Sequence, residues 1–381
     1  MTLTLDTVTS AEGFDALAPE WDDLVRAMPR PSPFLLHGWL RAWWRHYGAG
    51  AELTVHVARR GRRLVGAFPL YVGRRGRLRV TEFLGADEAH LGDLLLARGE
   101  ETELADAIAA RARGTGDLLS LFGLPACGRA ERALAGQRLA VRERVDAPVL
   151  DLDGDWERTY RRVASAKTRQ THRRKLRRLA ELGSVEFALA RTPSEIEAVL
   201  GETFRLHRLR WEGRRDGSRI GTPAGRAFQL DGYRALAKEG VARILTLNLG
   251  ERAIAYNALM VLEGRLYSHR LGFDPDYARW SAGLLCTLEM CALAADEGLS
   301  RIEFLGGNED YKLMLADRCE PLHQGIGLAS SLRGRLAVGR ELAGLRGRRR
   351  LKRMPGLQRL YVEGLPRRRH AGRSRPAALS A

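Results

Sequence analysis

Hydrophobic and polar residues follow one another along this chain in two registers, the two-residue period of strands and the 3.6-residue period of helices. Between residues 241 and 273 three apolar runs, Val241–Leu249, Ala253–Leu262 and Arg265–Phe273, are separated only by Gly250-Glu251 and Glu263-Gly264. Breaks this short, each with a glycine, predict an antiparallel meander. Helices are expected before it over about Ser194–Trp211, with Ile196, Val199, Leu200 and Phe204 along one side, and over about Pro223–Lys238. After it, Leu284, Leu285, Leu288, Ala292 and Ala295 recur at helical spacing between Ser281 and Gly298, which predicts an amphipathic helix capped by Ser281 and stopped by Gly298. The run from Ser300 to Lys312 then reads as a short strand with Ile302 and Phe304 inward and Glu303 outward, a Gly306-Gly307 turn, and a helix start that gathers Glu309, Tyr311 and Lys312. A strand end opening into a glycine turn is where α/β proteins place their chemistry.

The first half repeats this plan more weakly. Leu53–Ala58, Leu64–Val72 and Leu78–Phe83 read as strands, a helix follows near Glu101–Arg113, and Leu118-Leu-Ser-Leu-Phe-Gly123 answers Arg301-Ile-Glu-Phe-Leu-Gly306. A tandem duplication is the expectation. After Gly123, however, Leu124-Pro125-Ala126 offers no acid, phenol or amine, so the first copy reads as chemically empty. Between the copies, Ser165 to Leu179 predicts a helix with Arg169, Arg173 and Arg177 on one face and Lys167, Arg174 and Arg178 on another. Like charges at that spacing repel, so their counter-charges come from acidic neighbours, solvent ions or a polyanionic ligand. The division expected is residues 1–150, residues 151–330 opened by a basic helix at 160–180, and a basic tail from 331 to 381 that is helical or disordered.

Composition narrows the class. The 381 residues are 45% hydrophobic and 29% charged, as in a globular protein with room for two cores. No apolar run is long enough to cross a membrane and Met1-Thr-Leu-Thr-Leu-Asp6 lacks a secretory pattern, so a cytoplasmic protein is expected. Cys127, Cys286, Cys291 and Cys319 show no paired metal-ligand spacing and read as buried thiols; no metal is expected. Asp151-Leu-Asp-Gly-Asp-Trp-Glu157 has a misplaced glycine and Arg162 where a calcium loop needs glutamate, so it reads as a solvated linker. Of the net charge of +17, residues 331–381 carry +13 through 15 basic and two acidic residues. Arg348-Arg-Arg-Leu-Lys-Arg353 and Arg367-Arg-Arg369 would attract phosphates on RNA, DNA or an anionic membrane surface, or simply be solvated.

Taken in order, Ser165-x-Lys-x-Arg169, Arg210-Trp211, Asp274-Pro-Asp-Tyr277, Ser281-Ala-Gly283 and Gly307-x-Glu-x-Tyr-Lys312 resemble the BioF2-like, or CelD-like, branch of the GNAT acyltransferases, which is related to the FemABX aminoacyl transferases. The resemblance covers residues 150–330, and the first half through its strand order and the aromatic Phe34–Tyr47 segment. It implies an α/β (α+β) fold of two tandem GNAT-like units, each a mixed, mostly antiparallel sheet flanked by helices. It also implies transfer of an acyl group to an amine, from acyl-CoA such as acetyl-CoA or, in the FemABX relatives, from aminoacyl-tRNA. Arg279-Trp-Ser-Ala-Gly283 departs from the usual GNAT pyrophosphate motif in having one glycine at a shifted spacing.

On that resemblance Tyr311 stands where GNAT enzymes place the acid that protonates the leaving thiolate, and the strand Tyr267–Phe273 would offer backbone N–H groups to the acyl oxygen. Glu309, two residues past the glycine turn, is the candidate base, with helix capping as its ordinary role. Lys312 would bind a phosphate or carboxylate, or be a plain surface lysine. The N-terminus of the Ser281 helix, with Gly283 allowing close approach, favours a donor phosphate, and Lys167, Arg169 and Arg173 are candidates to hold the same group. Asn257, His269 and Arg270 could line the cleft, and Arg210 with Trp211 could clamp an acceptor or belong to the core. Three functions stay open: an acyl-CoA-dependent N-acyltransferase acting on a small-molecule, sugar or peptide amine; an aminoacyl-tRNA-dependent transferase; and a non-catalytic GNAT-fold protein recruited to RNA or to a polysaccharide-assembly complex.

Overall fold

The computed structural model describes residues 2–352 apart from 86–87, 89, 101, 136–138, 212–218 and 308, with backbone alone at 102, 141–144, 211 and 345–352. The tail motifs beyond Lys352 lie outside the described residues. Residues 1–335 form one compact unit and 336–381 a second. A helix spans Leu332–Lys352.

The strands are β1 (Leu3–Val8), β2 (Glu52–Arg60), β3 (Arg63–Arg75), β4 (Leu78–Phe83), β5 (Leu95–Leu96), β6 (Leu118–Pro125), β7 (Ala140–Asp151), β8 (Val185–Ala190), β9 (Ala242–Leu249), β10 (Arg252–Leu262), β11 (Arg265–Phe273), β12 (Arg301–Glu303) and β13 (Arg318–Gly327). They form one sheet in the order β1-β2-β3-β4-β6-β13-β7-β12-β11-β10-β9-β8, with β5 paired to β3. From either end inward the path is the same. An antiparallel run of four strands (β1 to β4, or β8 to β11) meets a parallel partner (β6, or β12). In the middle the closing strands change sides. β13 from the second half pairs with β6 of the first, β7 pairs with β12, and β7 and β13 pair with each other, all antiparallel.

The meander is as the turn chemistry predicts, with β9, β10 and β11 joined at Gly250 and at Glu263-Gly264. At the second turn Glu263 and Gly264 both have positive φ (49° and 71°), the backbone of a tight hairpin turn. Helices fill Pro193–Trp211 and Pro223–Lys238, the latter begun by Thr222, whose hydroxyl accepts from Gly225 N. The helix His37–Tyr47 of the first half packs across the Pro223–Lys238 helix. A β-carbon on Gly38 would stand 2.9 Å from that of Ala235, and one on Gly232 2.8 Å from the Trp39 ring, so bare backbones are what let the helices approach. The resulting core joins both halves, with Trp39 and Phe228 rings 4.8 Å apart. A second core, including Leu245, Leu285, Met290 and Ile302, belongs to the second half.

Several expectations need correction. Glu303 does not face outward: it is wholly buried, because β12 is a central strand covered on both faces. Its carboxylate is compensated by Arg30 (2.6 Å), Arg301 (3.0 Å) and Arg265 (3.4 Å). Ser281 sits at the head of the helix Ala282–Asp296 but caps nothing; its φ of 58° is left-handed and its Oγ accepts instead from Lys175 Nζ at 2.6 Å. That helix is not amphipathic, since Cys286, Met290, Cys291 and Ala294 are buried while Leu284, Leu288 and Leu293 pack at the edge of the same core. The segment after β7 is no free linker, because Asp155 caps the helix Trp156–Val163 by accepting from Arg158 N. Of the cysteines, only Cys286 and Cys291 are buried; Cys127 and Cys319 are exposed.

The ion cluster around Glu303 gives a stability test. Glu303→Ala removes the buried carboxylate shared by three arginines, leaving Arg30 and Arg301 with Glu320 at 3.3 and 2.6 Å, and a loss of about 3 kcal/mol in urea unfolding is expected. A loss below about 1 kcal/mol would show that the guanidinium groups find other partners.

Candidate active site

β11 and β12 are hydrogen-bonded in parallel over three residues only, Arg265–Tyr267 against Arg301–Glu303. Beyond them β11 continues along β10 to Phe273. The chain after β12 stays with β7 instead, where Phe304 N donates to Pro148 O (3.0 Å) and Gly307 N to Asp146 O (3.2 Å). The two strands therefore part, leaving the β12 side of residues 268–273 without a parallel partner. Leu305 (φ 59°) and Gly307 (φ 135°) turn the chain out of the sheet. The φ of 135° at Gly307 favours glycine, and a β-carbon there would also push aside the Glu309 carboxylate, 2.2 Å away at Oε2, and meet Lys312 Nζ at 3.0 Å.

Glu309 holds the cap position of the helix Asp310–Leu315 without capping it, and pairs with Lys312 at 3.0 Å. Lys312 is no surface lysine. It is 7% exposed, and its Nζ also donates to Gly306 O at 3.2 Å. Between them Tyr311 is half-buried, and no described group hydrogen-bonds its hydroxyl. Burial, with the Glu309 charge, raises its pKa above the usual tyrosine value, and Arg210 offsets part of that rise. The phenol therefore stays protonated well above neutral pH, as a proton donor must.

Arg210 is not available as a clamp: it donates to Leu271 O and lies over the Phe273 ring at 5.4 Å, bracing the free end of β11. The side chain of Trp211 lies outside the described residues. Asn257, His269 and Arg270 serve the interior and the seam between the halves. Asn257 is fully buried and donates to Thr287 Oγ1 at 3.3 Å. His269 Nδ1 is 2.7 Å from the Tyr233 hydroxyl, and its ring meets Phe34, Trp39 and His90. Arg270 pairs with Glu88, which also accepts from Gln229 Nε2. Burial keeps the imidazoles neutral, with His269 pushed well below its ordinary value and His90 down to about 3.

At the head of the helix Ala282–Asp296 the first-turn amides of Ala282, Gly283 and Leu284 donate to no described acceptor. Gly283 approaches the sheet rather than the cleft, since a β-carbon there would meet Phe273 at 3.0 Å. Lys175, on the helix Ala166–Ala180, reaches this head through Ser281, and Arg279 lies over the Trp280 ring at 3.7 Å. The sequence pattern had singled out other residues of that helix. Of these, Lys167 is exposed, Arg169 donates to Ala164 O at 2.6 Å, and Arg173 faces Glu157 at 3.5 Å. Lys175 was missed because it falls between the two arginine faces. Orphan amides flanked by two cations fit a phosphate.

On the other side of the glycine turn lies a cavity of about 500 Å³, bounded by Gly306 and Gly307 and by Arg75, Glu82, Ser120 and Phe122 of the first half. The half that read as chemically empty thus supplies most of its wall. Only strand pairing shows this, because residues from β3, β4 and β6 carry no common motif. Among the described residues no cluster of His, Cys, Asp and Glu is placed to hold a metal, and no helix is long and apolar enough to cross a membrane.

Residues 166–313 match the family described as acetyltransferase (GNAT) domain. No curated protein sequence matches the chain. Among solved structures it is similar to FemX, with a TM-score of 0.57 at 11% identity over 85% of this chain and 97% of that one. It is also similar to the C-terminal domain of a protein described as a lysylphosphatidylglycerol synthetase from Agrobacterium fabrum (TM-score 0.53, 13% identity, 85% and 95% covered). A third likeness is to L-PGS from Bacillus licheniformis (TM-score 0.50, 14% identity, 81% and 95% covered). At such identities the likeness is one of fold. Residues 166–313 therefore match an acetyltransferase (GNAT) domain, in a chain whose fold is similar to that of FemX.

Proposed function

We propose that this protein is an N-acyltransferase that moves an acyl group from acyl-CoA, acetyl-CoA in the simplest case, to the amine of a small molecule, sugar or peptide. The observation that carries this reading is the parting of β11 from β12 with a protonated, unpartnered Tyr311 hydroxyl beside the opening. The acyl carbonyl would lie along the free edge of β11, where backbone N–H groups are positioned to hold the oxyanion. A neutral amine attacks the carbonyl carbon, forming the C–N bond. The ammonium proton passes to Glu309, directly or through one water. Collapse of the tetrahedral adduct breaks the C–S bond, and the departing thiolate takes the phenolic proton of Tyr311, which solvent restores. Lys312 is a positioning residue, because it ties the Glu309 carboxylate to the Gly306 carbonyl. The donor's phosphates would meet the amides of Ala282, Gly283 and Leu284, with Lys175 and Arg279 beside them. The residues 151–330 then act as the catalytic half and 1–150 as its partner, in a cytoplasmic protein.

A second reading, aminoacyl-tRNA as donor, is favoured by one feature. Lys167, Arg174, Arg177 and Arg178 stand exposed on the Ala166–Ala180 helix with no described acidic partner, and Arg173 is exposed beside Glu157. Such a row can follow a phosphate backbone, and the basic tail from 331 to 381 adds charge of the same sign for RNA or an anionic membrane surface.

The readings separate in one assay, release of free thiol from acetyl-CoA by purified full-length protein with glucosamine, lysine or spermidine as acceptor. Acyl-CoA chemistry predicts turnover that RNase does not affect. Transfer that requires charged tRNA and falls steeply with added salt would replace it with the second reading. Tyr311→Phe is expected to lower kcat by about 10²–10³-fold with little change in KM for acetyl-CoA, and turnover within twofold of wild type would remove Tyr311 from the chemistry. Because the Tyr311 pKa is raised, its protonated form persists upward in pH. The wild-type kcat should therefore rise as the amine loses its proton and show no alkaline fall below about pH 10.

A further inference from the structure

We propose that the cavity of about 500 Å³ beside the glycine turn binds the acyl acceptor, and that the acceptor is an amino sugar. This deepens the acyl-transfer reading of the Tyr311 turn and rests on it. Position is the first argument. Gly307 bounds the cavity, and a β-carbon on the same residue would stand 2.2 Å from Glu309 Oε2, so one glycine borders both the cavity and the candidate proton acceptor.

The lining argues for the chemistry. Strand residues two apart share a face, and Ser120 and Phe122 of β6, with Gln324 of β13, place a hydroxyl, a flat ring and an amide along one wall. Phe122 stays half-exposed between the buried Leu121 and Leu124, and belongs to neither core. Its ring can therefore cover the C–H face of a sugar while the polar neighbours meet hydroxyl edges. Gln324 Oε1 and His90 Nε2 are buried with no described partner, and His90 is neutral. An orphan amide oxygen and an orphan ring nitrogen at one cavity call for partners, which hydroxyl groups, able both to donate and to accept, supply.

Charge removes the alternatives. Among the described residues of the wall the one cation, Arg75, is already paired with Glu82, which also accepts from the Tyr71 hydroxyl at 3.0 Å. Among the described lining residues no free cation remains for the carboxylate of an amino acid, and no second carboxylate for a polyamine. The volume suits one or two sugar rings.

The test is calorimetric titration of the full chain without acyl donor, using glucosamine, lysine and spermidine. Saturable glucosamine binding is expected, weakened at least about tenfold in both Phe122→Ala and Gln324→Leu and unchanged in Tyr311→Phe. Circular dichroism and Tm identify any variant that has simply unfolded. Absence of glucosamine binding, equal binding of lysine or spermidine, or full affinity in both folded cavity variants would overturn the proposal. Its failure is distinct from that of the transferase reading. Thiol release with another amine leaves the chemistry standing without the sugar, whereas glucosamine bound with no turnover leaves the sugar site standing without the chemistry.

Discussion

A carboxylate with no access to water organises the middle of this protein. Glu303 ends the three-residue β12 among Arg30, Arg265 and Arg301, and Arg30 belongs to the first half while the others belong to the second. A hydrophobic residue of similar size could be as favourable energetically, since desolvation offsets much of what a buried ion pair gains. What the ions add is selectivity. A slip of β12 by one residue would set Ile302 or Phe304 among guanidinium groups and leave the carboxylate in an apolar layer. Register at this point decides where the strand leaves β11, and so where the glycine turn and Tyr311 stand.

The seam beside it is polar in composition yet uncharged in its imidazoles. His90 and His269 are stripped of water and sit near Arg270, with Lys312 also acting on His90, so both stay neutral, and Arg270 is itself paired with Glu88. This lets hydrogen-bonding groups from both halves crowd together without mutual repulsion. The cavity opens from this region toward the turn, which is why its walls come from five strands of both halves.

Much of the second half was legible in its sequence, because its signals are local. Gly250, Glu263 and Gly264 mark the hairpins, and Gly306-Gly307 marks the turn. The strands that hold the halves together left weaker traces. β7 carries charges at Arg142, Glu143, Arg144 and Asp146, and β13 contains Pro321, Gly325 and Gly327, so neither shows a clean two-residue alternation. Glu303 was misplaced for a related reason, since a period of two cannot tell a solvated face from one filled by arginines, two of which, Arg30 and Arg265, lie far away in the chain. The same holds for Lys175 and Phe122, whose settings depend on partners 106 and roughly 200 residues distant.

The exchange of β7 and β13 also bears on how the chain comes to be folded. During synthesis the first half emerges with β6 lacking its neighbour, because β13 is made some two hundred residues later. Until then the edge of β6 presents free N–H and C=O groups, the kind of template on which chains aggregate. The central pairing must also close a long loop, which slows folding. Completion of the described sheet therefore waits on β13, the last of its strands in chain order.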